Sequence, residues 1–249
     1  MLIIGLIALL TMLLGDNDLP FLLPREEKSI NRVIDDKEKH KLLDFIVKGV
    51  EDKEKQYKKD KKGYTKELET LNLDRHTTTE QFSEVANNIY ITNDEAFRFM
   101  IKIRLSIAQV ITTDEWNLIL EDSRDRFKKN VIKYEKIYPE FEKTMEKIIK
   151  RVENVISNKE DAAIIAYQMR SFSKLTLKNS KELVAINVYD HPVLSNIEAT
   201  EEELLAVAPE IHKLRTEVVE EYIAIHNLLA KITTEKEWPK VVKKVNKLF

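Results

Sequence analysis

Cysteine is absent from the 249 residues, glycine occurs four times and proline six times. Without cysteine, neither a disulfide framework nor a thiolate metal site can form. No glycine follows Gly63. Phosphate-cradling loops, dinucleotide folds and nucleophile elbows need glycine where backbone approaches a ligand or turns sharply, so none of these motifs is present. Asn-Gly and Asp-Gly hairpin turns are missing as well. Charge of one sign is also lacking: 41 basic residues face 43 acidic ones, a formal net of -2. A general nucleic-acid binder would be strongly basic, so the balance argues against that class. What is present is 43% hydrophobic and 34% charged residues, rich in Lys, Glu, Leu and Ile. This composition reads as long helices and an all-α fold, in a chain long enough to bury a sizeable core.

Residues 1–24 form the first unit. Leu2 to Leu14 is apolar apart from Thr11, and Gly15-Asp16 ends the run. As a helix, Met1 to Leu14 would be about 21 Å long, short of the roughly 30 Å hydrocarbon core. Leu19, Phe21, Leu22 and Leu23 extend the apolar character between Pro20 and Pro24. A cleaved signal peptide would need a basic start and a small-x-small site, and neither is there. A buried core helix is one alternative; a short single-pass membrane anchor is the reading preferred, since a short anchor can thin the bilayer or pack on other transmembrane helices. Arg25, Lys28 and Arg32 follow the run and no Lys or Arg precedes it. By the positive-inside rule this favours a cytoplasmic location for the bulk of the chain, without fixing the side of the membrane.

Residues 25–91 carry a heptad seam. Leu43, Val47, Val50, Glu54, Tyr57, Lys61, Tyr64, Leu68 and Leu71 step by four and three, the a/d alternation of a coiled coil. The phase continues through Arg75, Thr78, Phe82, Val85 and Ile89, so a longer seam is expected. Glu54 and Lys61 are its polar positions, the kind that set register and partner choice. The seam can pair with another copy of the chain, with another protein, or with a later helix. Lys53 to Lys62 holds six lysines but no interleaved stacking aromatics beyond Tyr57, so it reads as a solvated flank rather than a nucleic-acid surface.

Residues 92–249 read as a helical bundle. Capping boxes, in which a hydroxyl accepts from the N3 backbone and a Glu or Gln reaches back, are expected at Thr78, Thr92, Thr112, Ser157, Thr200 and Thr234. They place helix starts near residues 79, 93, 113, 158, 201 and 235. Pro139 is expected to start or kink a helix, and Pro209 to kink the helix beginning at Thr200. Two stretches look alike: Ile111-Thr112-Thr113-Asp114-Glu115-Trp116, and Ile232-Thr233-Thr234-Glu235-Lys236-Glu237-Trp238, with one residue inserted in the second. They suggest a weak internal duplication within the bundle. The same stretches resemble the LTxxQ element of periplasmic helical stress chaperones and metal-resistance sensors, with Ile in place of Leu and Glu115 in place of Gln. That resemblance implies a helical envelope chaperone or stress sensor, and no site residue is carried over from it.

The chemistry-bearing residues do not assemble into a motif. A ferritin-like site needs Glu-x-x-His, but Lys37, Leu73, Val188, Pro209 and Ile223 precede the five histidines His40, His76, His191, His212 and His226 by three. Glu217, Glu221 and His226 share a stripe that reads as surface charge or core edge. Trp116 and Trp238 read as wedges packed at helix starts. No catalytic residue, metal ligand or cofactor is identified, and an enzyme is not expected. The sequence favours a membrane-anchored helical scaffold or accessory subunit acting through protein contacts, with the chaperone as the alternative.

Overall fold

The computed structural model describes residues 27–245, and every regular element among them is a helix. The expected anchor at residues 1–24 lies outside the described residues. The helices are α1 (Glu27–Val33), α2 (Lys37–Leu73), α3 (Thr79–Ala108), α4 (Thr113–Glu153), α5 (Lys159–Ala185), α6 (Pro192–Ser195), α7 (Glu201–Leu205), α8 (Ala208–Ile232) and α9 (Trp238–Val245). None of these is long and apolar enough to cross a membrane.

Local chemistry sets most of the boundaries. The Asp36 carboxylate accepts from the backbone of Glu38 and Lys39 and starts α2. These bonds hold its carboxyl below the ordinary value. Reciprocal boxes start α3 (Thr78 with Gln81), α4 (Thr112 with Glu115) and α7 (Thr200 with Glu203). A fourth joins Thr234 and Glu237; a turn follows it, and α9 proper begins at Trp238. Replacing Thr112 with Ala is expected to cost about 1 kcal/mol, read as a lower denaturant midpoint with an unchanged slope.

Several local expectations are overturned. No helix starts near residue 93: α3 runs unbroken from Thr79 to Ala108. Its buried stripe of Val85, Ile89, Phe97 and Ile101 continues across Thr92, so tertiary burial outweighs the local cap, and the Thr92 hydroxyl meets that of Tyr64 instead. The α5 cap is Asn158, not Ser157; the Ser157 amide is already taken by Glu237. Pro209 does not kink a helix; it stands in the first turn of α8 after a break at Ala206 and Val207, where its missing N–H is harmless. Pro139 lies within α4, which runs through it.

The seam does not run on past Leu71. The helix ends at Leu73, the Asp74 carboxylate accepts from the His76 amide, and the Thr77 hydroxyl bonds back to the Leu71 carbonyl. The chain reverses, and α3 packs antiparallel on α2. The Tyr57 hydroxyl donates to Asn93, and Tyr64, Leu68 and Leu71 face Phe82, Val85 and Ile89 in one core. Over this part of α2 the seam meets a later helix of the same chain.

Two apolar clusters hold the elements together. The larger joins α2, α3, the C-terminal part of α4, α5, α8 and α9. The smaller surrounds Trp116 with Ile34, Leu43, Ile107, Ile111 and Ile119. Helix α4, 41 residues long, reaches from one cluster to the other.

Candidate functional site

Both tryptophans are interior. Trp116 is 1% exposed, and its indole N–H donates to the Ser195 carbonyl at 2.7 Å. The Arg104 guanidinium lies 4.5 Å from the ring centroid and donates to the Asn196 carbonyl at 2.7 Å. Its burial lowers its pKa to about 10, so it stays charged and stacks as a cation on the indole face. Trp238 repeats the arrangement: its indole donates to the Leu73 carbonyl at 2.9 Å, and the His226 ring meets it edge-on at 5.3 Å. Buried Trp requires such a partner for its single polar atom.

The histidines are dispersed. His40 bonds the Ile34 carbonyl, His191 caps α6, and His76 is exposed. His226 is buried, with Nδ1 against the Asn72 side-chain oxygen, and burial pulls its pKa down to about 4. No group of three or more His, Asp or Glu side chains among the described residues could hold a metal ion. Glu217 and Glu221, read from sequence as one stripe with His226, instead accept from Asn179 and Gln168 and tie α8 to α5.

A cavity of about 560 Å³ opens between α3 and the α7–α8 segment. Apolar walls come from Phe97, Leu205, Pro209 and Ile211. Tyr90 and His212 lie against one another across it, ring centroids 3.8 Å apart. His212 also meets the Thr216 hydroxyl, and burial, followed by the nearby Arg215 charge, lowers its pKa. Arg98 is engaged by Asp94 at 2.7 Å. The lining also carries Arg98, Lys213 and Arg215 together with Asp94, Glu217 and Glu220, three groups of each sign, of which Arg98 and Asp94 form an ion pair. The lining residues come from segments more than a hundred positions apart, and neither Tyr90 nor Arg98 carried a sequence signal.

The outer surface holds a second kind of candidate. Phe45 on α2 and Tyr167 on α5 are 79% and 74% exposed, and each has an exposed aliphatic neighbour three residues earlier, Leu42 and Ile164. Position i and position i+3 share one helix face, so each helix presents a two-residue apolar knob. The sequence reading missed these pairs, because the heptad count followed the opposite face of α2. No family model, curated protein or solved structure matches the chain.

Proposed function

We propose that the protein is a helical scaffold or accessory subunit, held at a membrane by its N-terminal apolar run and acting through protein contacts. The observation that carries this reading is the pair of exposed apolar knobs on α2 and α5. Aromatic side chains are enriched at the cores of protein–protein interfaces, and each pair leaves one in water beside an aliphatic neighbour. The chaperone alternative calls for an exposed apolar binding surface, and Trp116 and Trp238 do not supply one, being interior.

Two measurements test the proposal. Full-length protein is expected in the membrane fraction, and a variant lacking Met1 to Pro24 in the soluble fraction with unchanged helical circular dichroism. Full-length chain that stays soluble without detergent removes the anchor. Affinity purification from detergent-solubilised membranes, with quantitative mass spectrometry, is expected to return a partner at fixed stoichiometry; the absence of any such partner removes the scaffold.

A further inference from the structure

The described chain repeats itself at an interval of 122 positions, the separation of Trp116 and Trp238. The first capping box uses the first Thr of its pair, Thr112, and the second uses the second, Thr234. Box, glutamate and tryptophan therefore correspond without the insertion that the Thr-Thr pairs suggest. The same interval relates the caps Asp36 and Asn158, each accepting from the amides two and three residues on. It relates the boxes at Thr78 and Thr200. It relates the side-chain turns in which Asp74 takes the His76 amide at 2.9 Å and Asn196 takes the Glu198 amide at 3.0 Å. Arg104, stacked on the first tryptophan, corresponds to His226, edge-on to the second. Helix α1 corresponds to the end of α4, and α9 to its beginning, so α4 is a fusion of two helices.

The contacts between the halves are reciprocal. Trp116 bonds the carbonyl of Ser195, and Trp238 bonds that of Leu73; Leu73 and Ser195 are themselves 122 apart. Exchange of this kind defines a two-fold relation, not a translation along a solenoid. Tyr90 and His212, also 122 apart, touch one another, which places the two-fold between their rings and the cavity beside it.

The exposed knobs obey the same relation. Leu42 and Ile164 are 54% and 53% exposed, Phe45 and Tyr167 79% and 74%. Only 18 of the 97 position pairs from Glu27–Ser123 against Ile149–Val245 are identical, so the halves have diverged far. Core positions stay apolar in both halves because the core requires it. Exposed positions face no such requirement, yet both keep an aliphatic and an aromatic side chain here. An exposed glutamate one turn earlier, Glu38 and Glu160, is kept as well.

We infer that the chain is an internal duplication with two-fold pseudosymmetry, and that it presents one docking point twice, for two copies of a single protein partner. The inference rests on the scaffold reading. Apolar anchors at i and i+3 on a helix fit an apolar groove on that partner, with a basic residue at the end facing Glu160 or, in exchange for its exposed contact with Lys41, Glu38. A self-complementary knob displayed on both halves would instead link copies of this chain into open polymers, which disfavours a second copy as occupant.

The absence of cysteine makes the symmetry directly measurable with spin labels in the full chain. The pair Lys41→Cys with Lys231→Cys and the pair Gln109→Cys with Ala163→Cys exchange under the two-fold, so both are expected to give the same mean distance. A difference larger than the width of a helix, about 10 Å, overturns the duplication. For docking, benzoylphenylalanine is placed at Phe45, at Tyr167 or, as control, at the exposed Leu118, and irradiated in the source cells. Phe45 and Tyr167 are expected to give adducts of one mass that Leu118 does not give. Adducts of different mass, adducts with a second copy of the chain or with lipid alone, or no adduct overturn it. Phe45→Glu or Tyr167→Glu alone is expected to halve the partner recovered per chain, and the double variant to abolish it, with thermal unfolding unchanged. A partner recovered at full yield from the double variant overturns the docking point while leaving the scaffold reading intact.

Discussion

Trp116→Ala is expected to lower stability by about 3–5 kcal/mol, the range for removing a fully buried large aromatic. In a chain of this size that shifts the unfolding temperature by roughly 10 °C. Three losses combine: the apolar volume at the centre of the smaller cluster, the cation–π contact that Arg104 makes in the interior, and the bond that satisfies the Ser195 carbonyl. Trp116→Phe separates them, keeping most of the ring volume and leaving the carbonyl without its donor, and is expected to cost about 1–3 kcal/mol. Trp238→Ala is expected to fall in the same range as Trp116→Ala. Although it lies near the C-terminus, its ring is 6% exposed and its indole is tied to Leu73 across the other half. Thermal unfolding followed by circular dichroism checks all three. A loss below about 1 kcal/mol for Trp116→Ala would show that the ring does not hold the cluster together.

Acid is expected to destabilise the fold well before carboxylates protonate. His226 has a pKa of about 4 in the folded chain against an ordinary 6.5. Burial among Phe82, Trp238 and the Asn72 side chain is the dominant cause, and the nearby Asp74 charge opposes it only partly. The unfolded chain therefore takes up a proton that the folded chain refuses. Stability is full above pH 6.5 and falls as pH drops from 6.5 towards 4, by up to about 3 kcal/mol at 1.36 kcal/mol per pKa unit. His212, lowered in the same direction by burial, adds to this limb. Glu237 acts in a lower window: its bonds from Ser157 and Thr234 hold its carboxyl at about 2, so its contribution is lost between about pH 4.5 and 2. His226→Phe should flatten the stability profile between pH 6.5 and 4 while leaving the steeper fall below 4.5. Urea midpoints across that range decide it; an equally steep upper limb in His226→Phe would assign the effect elsewhere.

Several elements were fixed by local chemistry alone. A threonine with Gln or Glu three residues later satisfies its own amides wherever the chain can leave the helix, so Thr78, Thr112, Thr200 and Thr234 could be read without any tertiary knowledge. The lack of glycine beyond Gly63 and the 3.6-residue apolar periodicity specified helices in the same way. Tryptophan at a helix start was legible as a wedge because its size leaves few other places for it.

Other features depended on which surfaces meet. Thr92 has the same local pattern as Thr112, but an apolar stripe that buries against α2 and α8 keeps the helix going, and burial of several side chains exceeds the worth of one cap. The seam of α2 could be counted from the sequence; that α3 is the helix covering it followed from the turn at Asp74–Thr77. The cavity at Tyr90 and His212 exists because the fold brings together α3 and α8, whose lining residues lie more than a hundred positions apart. Only the fragment of the repeat around the two Thr-Thr pairs was legible, because fewer than one position in five is identical and because those pairs are out of register by one residue. Where this chain turns helical and which residues avoid water are local matters, since capping and hydrophobic periodicity act within a few residues. Which buried faces pair, and that the pairing is reciprocal, depends on contacts between residues that lie far apart along the chain.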